Sequence, residues 1–311
     1  LIIRGVRSMN LGRIGTAMIT PFKKDGTINY PELERIINHL IENGTDAIIA
    51  CGTTSENPTM STEEKIEVVR FTVEKVAGRV PVIAGTGDNE TAYSIAMTHK
   101  AEENGANGIM LVTPYYNKPN QRGMYAHFKT IAKETKLPVM LYNVPARTGA
   151  NISAETTIAL SREVENITCI KEASGNLDQM GDIIENVDSD FLVYSGDDGL
   201  TLPLYAVGGA GVISVASHVI GNDMQLMLKA FDEGNHELAA KIHRALLPLV
   251  RALFAQPNPS PIKYAMTKLG FDTLDVRMPM MEMLPEEKAA FDKIWDTYQE
   301  KAKYFRELAV Q

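Results

Sequence analysis

Lys171 closes a short apolar run, Ile167-Thr168-Cys169-Ile170, and the small, turn-forming segment Glu172-Ala173-Ser174-Gly175 follows it. That pattern predicts a buried strand whose last side chain emerges at the strand's C-terminal end. A lysine held there is partly desolvated, which disfavours the ammonium and makes the free amine accessible. A neutral amine attacks a ketone to give a Schiff base, so Lys171 is a candidate nucleophile. A solvated surface lysine, or one paired with Glu172, is the alternative. Loss of water from a carbinolamine requires a hydroxyl that shuttles protons. Tyr142 ends another apolar run and suits that task, or it is a rim tyrosine that packs its ring and wets its hydroxyl. Thr53, in Gly52-Thr53-Thr54, either relays a proton or caps the turn behind it. Tyr115 and Tyr116 are adjacent, so at most one of them aims inward. A 2-oxo acid also needs its carboxylate held. The backbone N–H groups of Gly52, Thr53 and Thr54 suit this, with the hydroxyls assisting, or they form a plain Ser/Thr turn. Arg147 can grip a second carboxylate bidentately, or it is a solvated loop arginine.

These residues need a scaffold that brings them together. Strand candidates run over residues 14–20, 47–51, 80–84, 108–112, 139–142, 167–171, 191–194 and 211–215. Helical patterns alternate with them. Asn29 and Ser153 cap two, and Ser61 with Glu64 forms a capping box for a third. The strands are continuous apolar runs, as expected when both faces of a sheet are covered. Eight strand–helix units predict an α/β protein, a (β/α)8 TIM barrel. The polar and glycine-rich segments follow the strands, and in such a barrel those ends converge on one mouth. Thr53, Tyr116, Tyr142, Lys171 and Gly196 all fall at or just past a strand's C-terminal end. Residues 9–232 are assigned to the barrel and 233–311 to a C-terminal helical appendage. Its helical patterns lie at 236–255 and 285–309, with Pro257, Pro259 and Pro261 breaking the middle. Residues 1–8 are read as a remnant ahead of a start at Met9.

The formal net charge of -8 over 311 residues argues against a general nucleic-acid binder. It leaves room for anionic metabolites at a locally positive site. Cys51 and Cys169 both lie in apolar strands, which suits a reducing, cytoplasmic compartment rather than a disulfide framework. No run is long and apolar enough to span a bilayer, and residues 1–10 lack the apolar core of a secretory signal. His39, His99, His127, His218, His236 and His243 form no metal-ligand spacing. Gly85-Thr86-Gly87 lacks the third glycine of a dinucleotide fingerprint. Asp197-Asp198 reads as turn and helix-capping carboxylates. Neither metal nor diffusible cofactor is expected.

Taken in order, several stretches resemble the dihydrodipicolinate synthase / N-acetylneuraminate lyase family of class I aldolases. They are Gly15-Thr16-Ala17 with Thr20-Pro21-Phe22, Gly52-Thr53-Thr54-Ser55-Glu56, Pro114-Tyr115-Tyr116, Tyr142-Asn143-Val144-Pro145 with Arg147-Thr148-Gly149, Ile170-Lys171-Glu172, Ser195-Gly196-Asp197-Asp198 and Gly211-Val212-Ile213-Ser214. Gly-Thr-Thr and Arg147 point to the synthase branch. The resemblance implies that Lys171 forms an imine with pyruvate and that Thr53, Tyr142 and Tyr116 form a proton relay. It implies that Thr54 helps hold substrate, that Arg147 holds the carboxylate of aspartate semialdehyde, and that Gly196 and Ile213 supply backbone contacts near the lysine. It also implies a homotetramer, a dimer of dimers, with Tyr116 contributed by a neighbouring subunit. A sister aldolase acting on sialic or 2-keto-3-deoxy sugar acids and a non-catalytic 2-oxo acid sensor are the other readings. Two departures stand out. Ser55 replaces the family's usual glycine. Thr62, Lys65 and Tyr93 stand where lysine-sensitive members carry histidines and a glutamate, so weak or absent lysine inhibition is expected.

Overall fold

The computed structural model describes residues 9–308, and in it eight parallel strands close into a barrel in sequential order. They are β1 Ile14–Ala17, β2 Ala47–Ala50, β3 Val82–Gly85, β4 Gly108–Val112, β5 Val139–Asn143, β6 Ile167–Glu172, β7 Leu192–Ser195 and β8 Gly211–Ser214. β8 pairs back onto β1. The helices α1 Tyr30–Glu42, α2 Thr62–Val76, α3 Thr91–Glu103 and α4 Gln121–Lys133 follow the first four strands. A single turn, α5 Pro145–Thr148, precedes α6 Ala154–Glu163, and α7 Leu177–Asn186, α8 Thr201–Ala206 and α9 Ser217–Asp232 complete the ring. The chain is thus the predicted (β/α)8 barrel. The remnant assigned to residues 1–8 lies outside the described residues.

Alternation along each strand splits the core into two layers. Ile49, Ile83, Met110, Met140, Cys169 and Tyr194 point inward and fill the barrel. Their neighbours Ile48, Val82, Ile109, Leu141, Ile170 and Val193 point outward under the helices. Met9 and Leu11 join the inner set, and the Leu11 N–H donates to the Tyr194 hydroxyl at 3.1 Å. The end of the barrel opposite the mouth is therefore plugged by apolar side chains.

The caps form as read. Asn29 accepts from the Glu32 N–H, Ser153 from the Thr156 N–H, and Ser61 and Glu64 make both bonds of a capping box. Two expectations need correction. β1 was expected to reach Thr20 but ends at Ala17. Met18 and Ile19 are fully buried, so they carry a strand's composition, but they pack in the outer layer beyond the last paired residue. The proline stretch was read as a break, yet it contains a helix, α11 Ser260–Thr267, with Pro261 in its first turn. Proline lacks the N–H that the first turn leaves unpaired anyway, so it starts a helix there instead of ending one. α11 lies between α10 His236–Leu253 and the last helix, α12 Pro285–Leu308. α12 is pinned to α9 through Asp223, which accepts from the Tyr298 hydroxyl at 2.5 Å and from the Arg306 guanidinium at 2.6 and 2.8 Å.

Candidate active site

Lys171 ends the inward-facing row of β6, two residues after Cys169, and is 5% exposed. This burial rules out a solvated lysine. Glu172 faces the opposite way. Its carboxylate accepts from Asn143 Nδ2 at 3.0 and 3.1 Å, the Ser174 N–H at 2.7 Å and Gln179 Nε2 at 2.9 Å. The alternative pairing of Lys171 with Glu172 therefore fails. Tyr142 is in register with Lys171 on β5, and the lysine Nζ lies 4.3 Å from its ring centroid. Gly196 closes the third side. A Cβ there would come within 3.1 Å of Lys171 Cε and 2.6 Å of Ala173 Cβ, so only glycine leaves the lysine its space.

Above Lys171 opens a cavity of about 520 Å³. Thr53, Thr54, Tyr142, Arg147, Lys171 and Gly196 all line it. A smaller hollow of about 220 Å³ adjoins it, sharing Thr53, Tyr142 and Arg147 in its wall. The main cavity meets the size of a small-molecule site, and its polar groups come from four different strand ends. Thr53 opens a 3-10 turn, Thr53–Ser55, directly after β2. The Thr54 hydroxyl is buried and accepts from Asn258 Nδ2 at 3.0 Å. Arg147 lies in α5 above β5, on the rim, with its side chain exposed and no ion pair among the described residues. A two-oxygen anion can approach that guanidinium freely.

Two of the expected residues do not line this chain's cavity with their side chains. Tyr116 is 89% exposed, holds φ +68°, and is absent from the cavity wall of this chain. Its neighbour Tyr115 lines the smaller hollow and donates to Asp88 at 3.0 Å, and burial with that carboxylate pushes its phenol up to about 12. The Ile213 side chain belongs to the barrel's inner layer and does not line the cavity. Asp197 and Asp198 divide their work. Asp197 caps the turn Asp198–Leu200, whereas Asp198 is buried and accepts from the Ser214 hydroxyl and from the Val215 and Ala216 N–H groups ahead of α9. Burial raises the Asp198 pKa. Cys51 and Cys169 are unpaired and buried, and desolvation pushes both thiols up to about 12.

Sequence reading missed one wall altogether. Leu247, Val250, Arg251 and Phe254 from α10 and the segment after it, with Asn258, cover one side of the cavity. A helix's apolar stripe shows that it packs but not on which neighbour, so only Asn258, a polar residue in a proline-rich turn, offered any signal.

Residues 10–297 match the model of the dihydrodipicolinate synthetase family. The chain belongs to that family. Among its members, the chain is 55% identical over 286 residues to the 4-hydroxy-tetrahydrodipicolinate synthase of Bacillus velezensis, covering 92% of this chain and 99% of the relative. It is 54% identical to the enzyme of the same name from Bacillus subtilis, covering 90% and 97% of the two chains. Of solved family structures, the dihydrodipicolinate synthase from Bacillus anthracis superposes with a TM-score of 0.90 at 51% identity, over 91% of this chain and 97% of that one. The one from Cyanidioschyzon merolae, solved with lysine bound, gives 0.91 at 44% identity over 93% and 98%.

Proposed function

We infer that this chain condenses pyruvate with L-aspartate 4-semialdehyde to 4-hydroxy-tetrahydrodipicolinate, through a covalent imine on Lys171. The observation that carries the reading is the buried lysine against the Tyr142 ring, beneath a cavity walled by Thr53, Thr54 and Arg147. Family membership and the names of the relatives support the reaction; the geometry supports the roles.

Lys171 Nζ adds to the keto carbon of pyruvate, and the carbinolamine loses water to give the imine. Tyr142 and Thr53 carry the protons, the hydroxyl of one residue receiving what the other releases. The Thr53 and Thr54 N–H groups hold the pyruvate carboxylate. Loss of a methyl proton turns the imine into an enamine, whose carbon attacks the aldehyde carbon of the semialdehyde. The aldehyde oxygen takes up a proton and becomes the 4-hydroxyl. The semialdehyde amine then adds to the imine carbon and displaces Lys171, closing the ring and returning the enzyme. One water leaves per turnover, at imine formation. Arg147 holds the second substrate's carboxylate at the rim, and Gly196 and Ile213 offer backbone contacts near the lysine. No diffusible cofactor enters these steps.

Tyr116 completes the relay from a neighbouring subunit in a dimer of dimers. Its 89% exposure and left-handed backbone, away from its own cavity, favour this assignment. Two unpaired cysteines favour a reducing cytoplasm; among the described residues no helix is long and apolar enough to cross a membrane. A coupled assay offered both substrates tests the reading. Turnover of aspartate semialdehyde with pyruvate is expected, and cleavage of sialic or 2-keto-3-deoxy sugar acids without that turnover contradicts it.

A further inference from the structure

The loop that carries Thr53 and Thr54 is gripped from behind by residues more than 200 positions away. Glu56, which ends the stretch Gly52-Thr53-Thr54-Ser55-Glu56, is 3% exposed and holds a left-handed backbone at φ +58°, ψ +34°. One of its carboxylate oxygens lies 2.6 Å from Lys263 Nζ, off the line of a hydrogen bond. The other accepts the Arg277 N–H at 2.8 Å. Lys263 itself is fully buried on α11, donates to the Asp275 carbonyl at 2.8 Å and lies 4.4 Å from the Phe22 ring centroid. The Arg277 guanidinium reaches the other end of the loop, where it donates to the Thr59 carbonyl at 2.9 Å and to both Glu64 oxygens.

A buried ion pair is a poor source of stability, because two charges must leave water to make it. Apolar side chains of similar volume would fill this space at less cost. What the pair supplies is a fixed location. A carboxylate with only one buried ammonium within reach has one place to sit, and a residue in the left-handed region stays there only when its surroundings hold it. Glu56 follows Thr53 by three residues, so fixing it sets the path of the 3-10 turn that presents the Thr53 and Thr54 hydroxyls and N–H groups.

We propose that the Glu56–Lys263 ion pair is a positioning device: it holds the Thr53–Thr54 turn against the cavity so that Thr53 meets the pyruvate adduct on Lys171. The inference rests on the reading of Thr53 and Lys171 given above. Neither Glu56 nor Lys263 lines the cavity, so both act through the turn. The test is Lys263→Met, which keeps the stem and removes the charge, and Glu56→Gln, which keeps the shape and remains able to accept from Arg277 should Lys263→Met fail to fold. Each is made in the parent and in a Thr53→Val background, and melting curves select temperatures at which all variants are folded. In the parent, kcat/KM for pyruvate is expected to fall roughly ten- to hundredfold. In the Thr53→Val background the same substitution is expected to cost less than about threefold, because the group being positioned is already gone. Parental activity in a folded variant, or equal losses in both backgrounds, overturns the inference while leaving the Schiff-base reading intact. That reading is tested separately in the unmutated enzyme, by whether pyruvate protects Lys171 from amine-directed acylation. A Thr53→Val enzyme as active as its parent removes Thr53 from the relay and overturns the inference with it.

Discussion

Lys171 is placed where the proposed imine chemistry needs it. Its Nζ lies under a roomy cavity, beside an aromatic ring and with no carboxylate partner among the described residues. Replacing Tyr142 by Phe leaves the ring that packs on the lysine and removes only the hydroxyl. A proton relay through that hydroxyl predicts a loss in kcat of roughly 10²–10³, with little change in melting temperature; steady-state kinetics against both substrates checks it. Arg147→Ala is expected to act differently, raising KM for aspartate semialdehyde roughly ten- to hundredfold while leaving KM for pyruvate near its parental value. Equal effects on both substrates would place Arg147 outside the second-substrate site. Thr53, Tyr142, Lys171 and Gly196 could be placed together from the sequence because each falls at or just past a strand's C-terminal end, where one-dimensional position already implies convergence. Tyr116 fell in the same set and Ile213 on a strand, yet neither side chain lines this chain's cavity. Whether a loop tyrosine turns in or out depends on a single φ, and a strand residue one layer down differs from a wall residue by a few ångströms.

Behind the inward pair on β5 and β6 stands an outward one. Asn143 and Glu172 are the next residues along each strand, in register with each other, and their side chains bond beneath the helices. A Glu172→Gln change turns one acceptor into a donor facing other donors. It is expected to cost about 1–3 kcal/mol of stability and to lower kcat by loosening the alignment of Tyr142 with Lys171; denaturant melts and kinetics report the two effects separately. β8 and the segment after β1 are joined by His218, whose Nε2 accepts the Ile19 N–H at 3.1 Å and whose Nδ1 bonds the Val215 carbonyl at 2.8 Å. This geometry needs a neutral ring, and burial lowers the His218 pKa to about 4. The unfolded chain binds that proton near pH 6.5, so stability should be fully present above about pH 6.5 and fall as pH drops toward about 4, by about 1.4 kcal/mol per unit at most. His218→Gln should flatten that part of the stability–pH curve; an unchanged slope would assign the acid sensitivity to other groups. The brace on β5 and β6 was half-visible in sequence, as polar residues directly following Tyr142 and Lys171. The His218 bridge was not, because both partners are backbone groups and one of them, Ile19, comes from the far side of the closure.

The barrel itself was legible because eight apolar runs, each followed by a helix, admit few other arrangements. The C-terminal region was legible only as helices. Its contribution to the cavity wall through α10 and its grip on the Thr53 loop through Lys263 depend on packing between segments with no sequence neighbourhood. At the same level lies the response to free lysine. Lys65 Nζ and the Thr62 hydroxyl both meet the Tyr93 hydroxyl, at 3.3 and 3.1 Å, and Lys65 stands with Asp88 in the wall of the smaller hollow. Lys65 would repel a cationic effector and Tyr93 offers it no charge partner, so lysine at submillimolar concentration is expected to leave the rate unchanged; strong inhibition in that range would contradict this. A relay completed by Tyr116 from a neighbour predicts that sedimentation finds the active species larger than one chain, and a fully active monomer would exclude it. The most direct measurement is reduction with borohydride in the presence of pyruvate, followed by peptide mass mapping. The account predicts loss of activity together with a single carboxyethyl adduct on Lys171, absent when pyruvate is omitted. An adduct on any other lysine, or inactivation with no adduct, would contradict it.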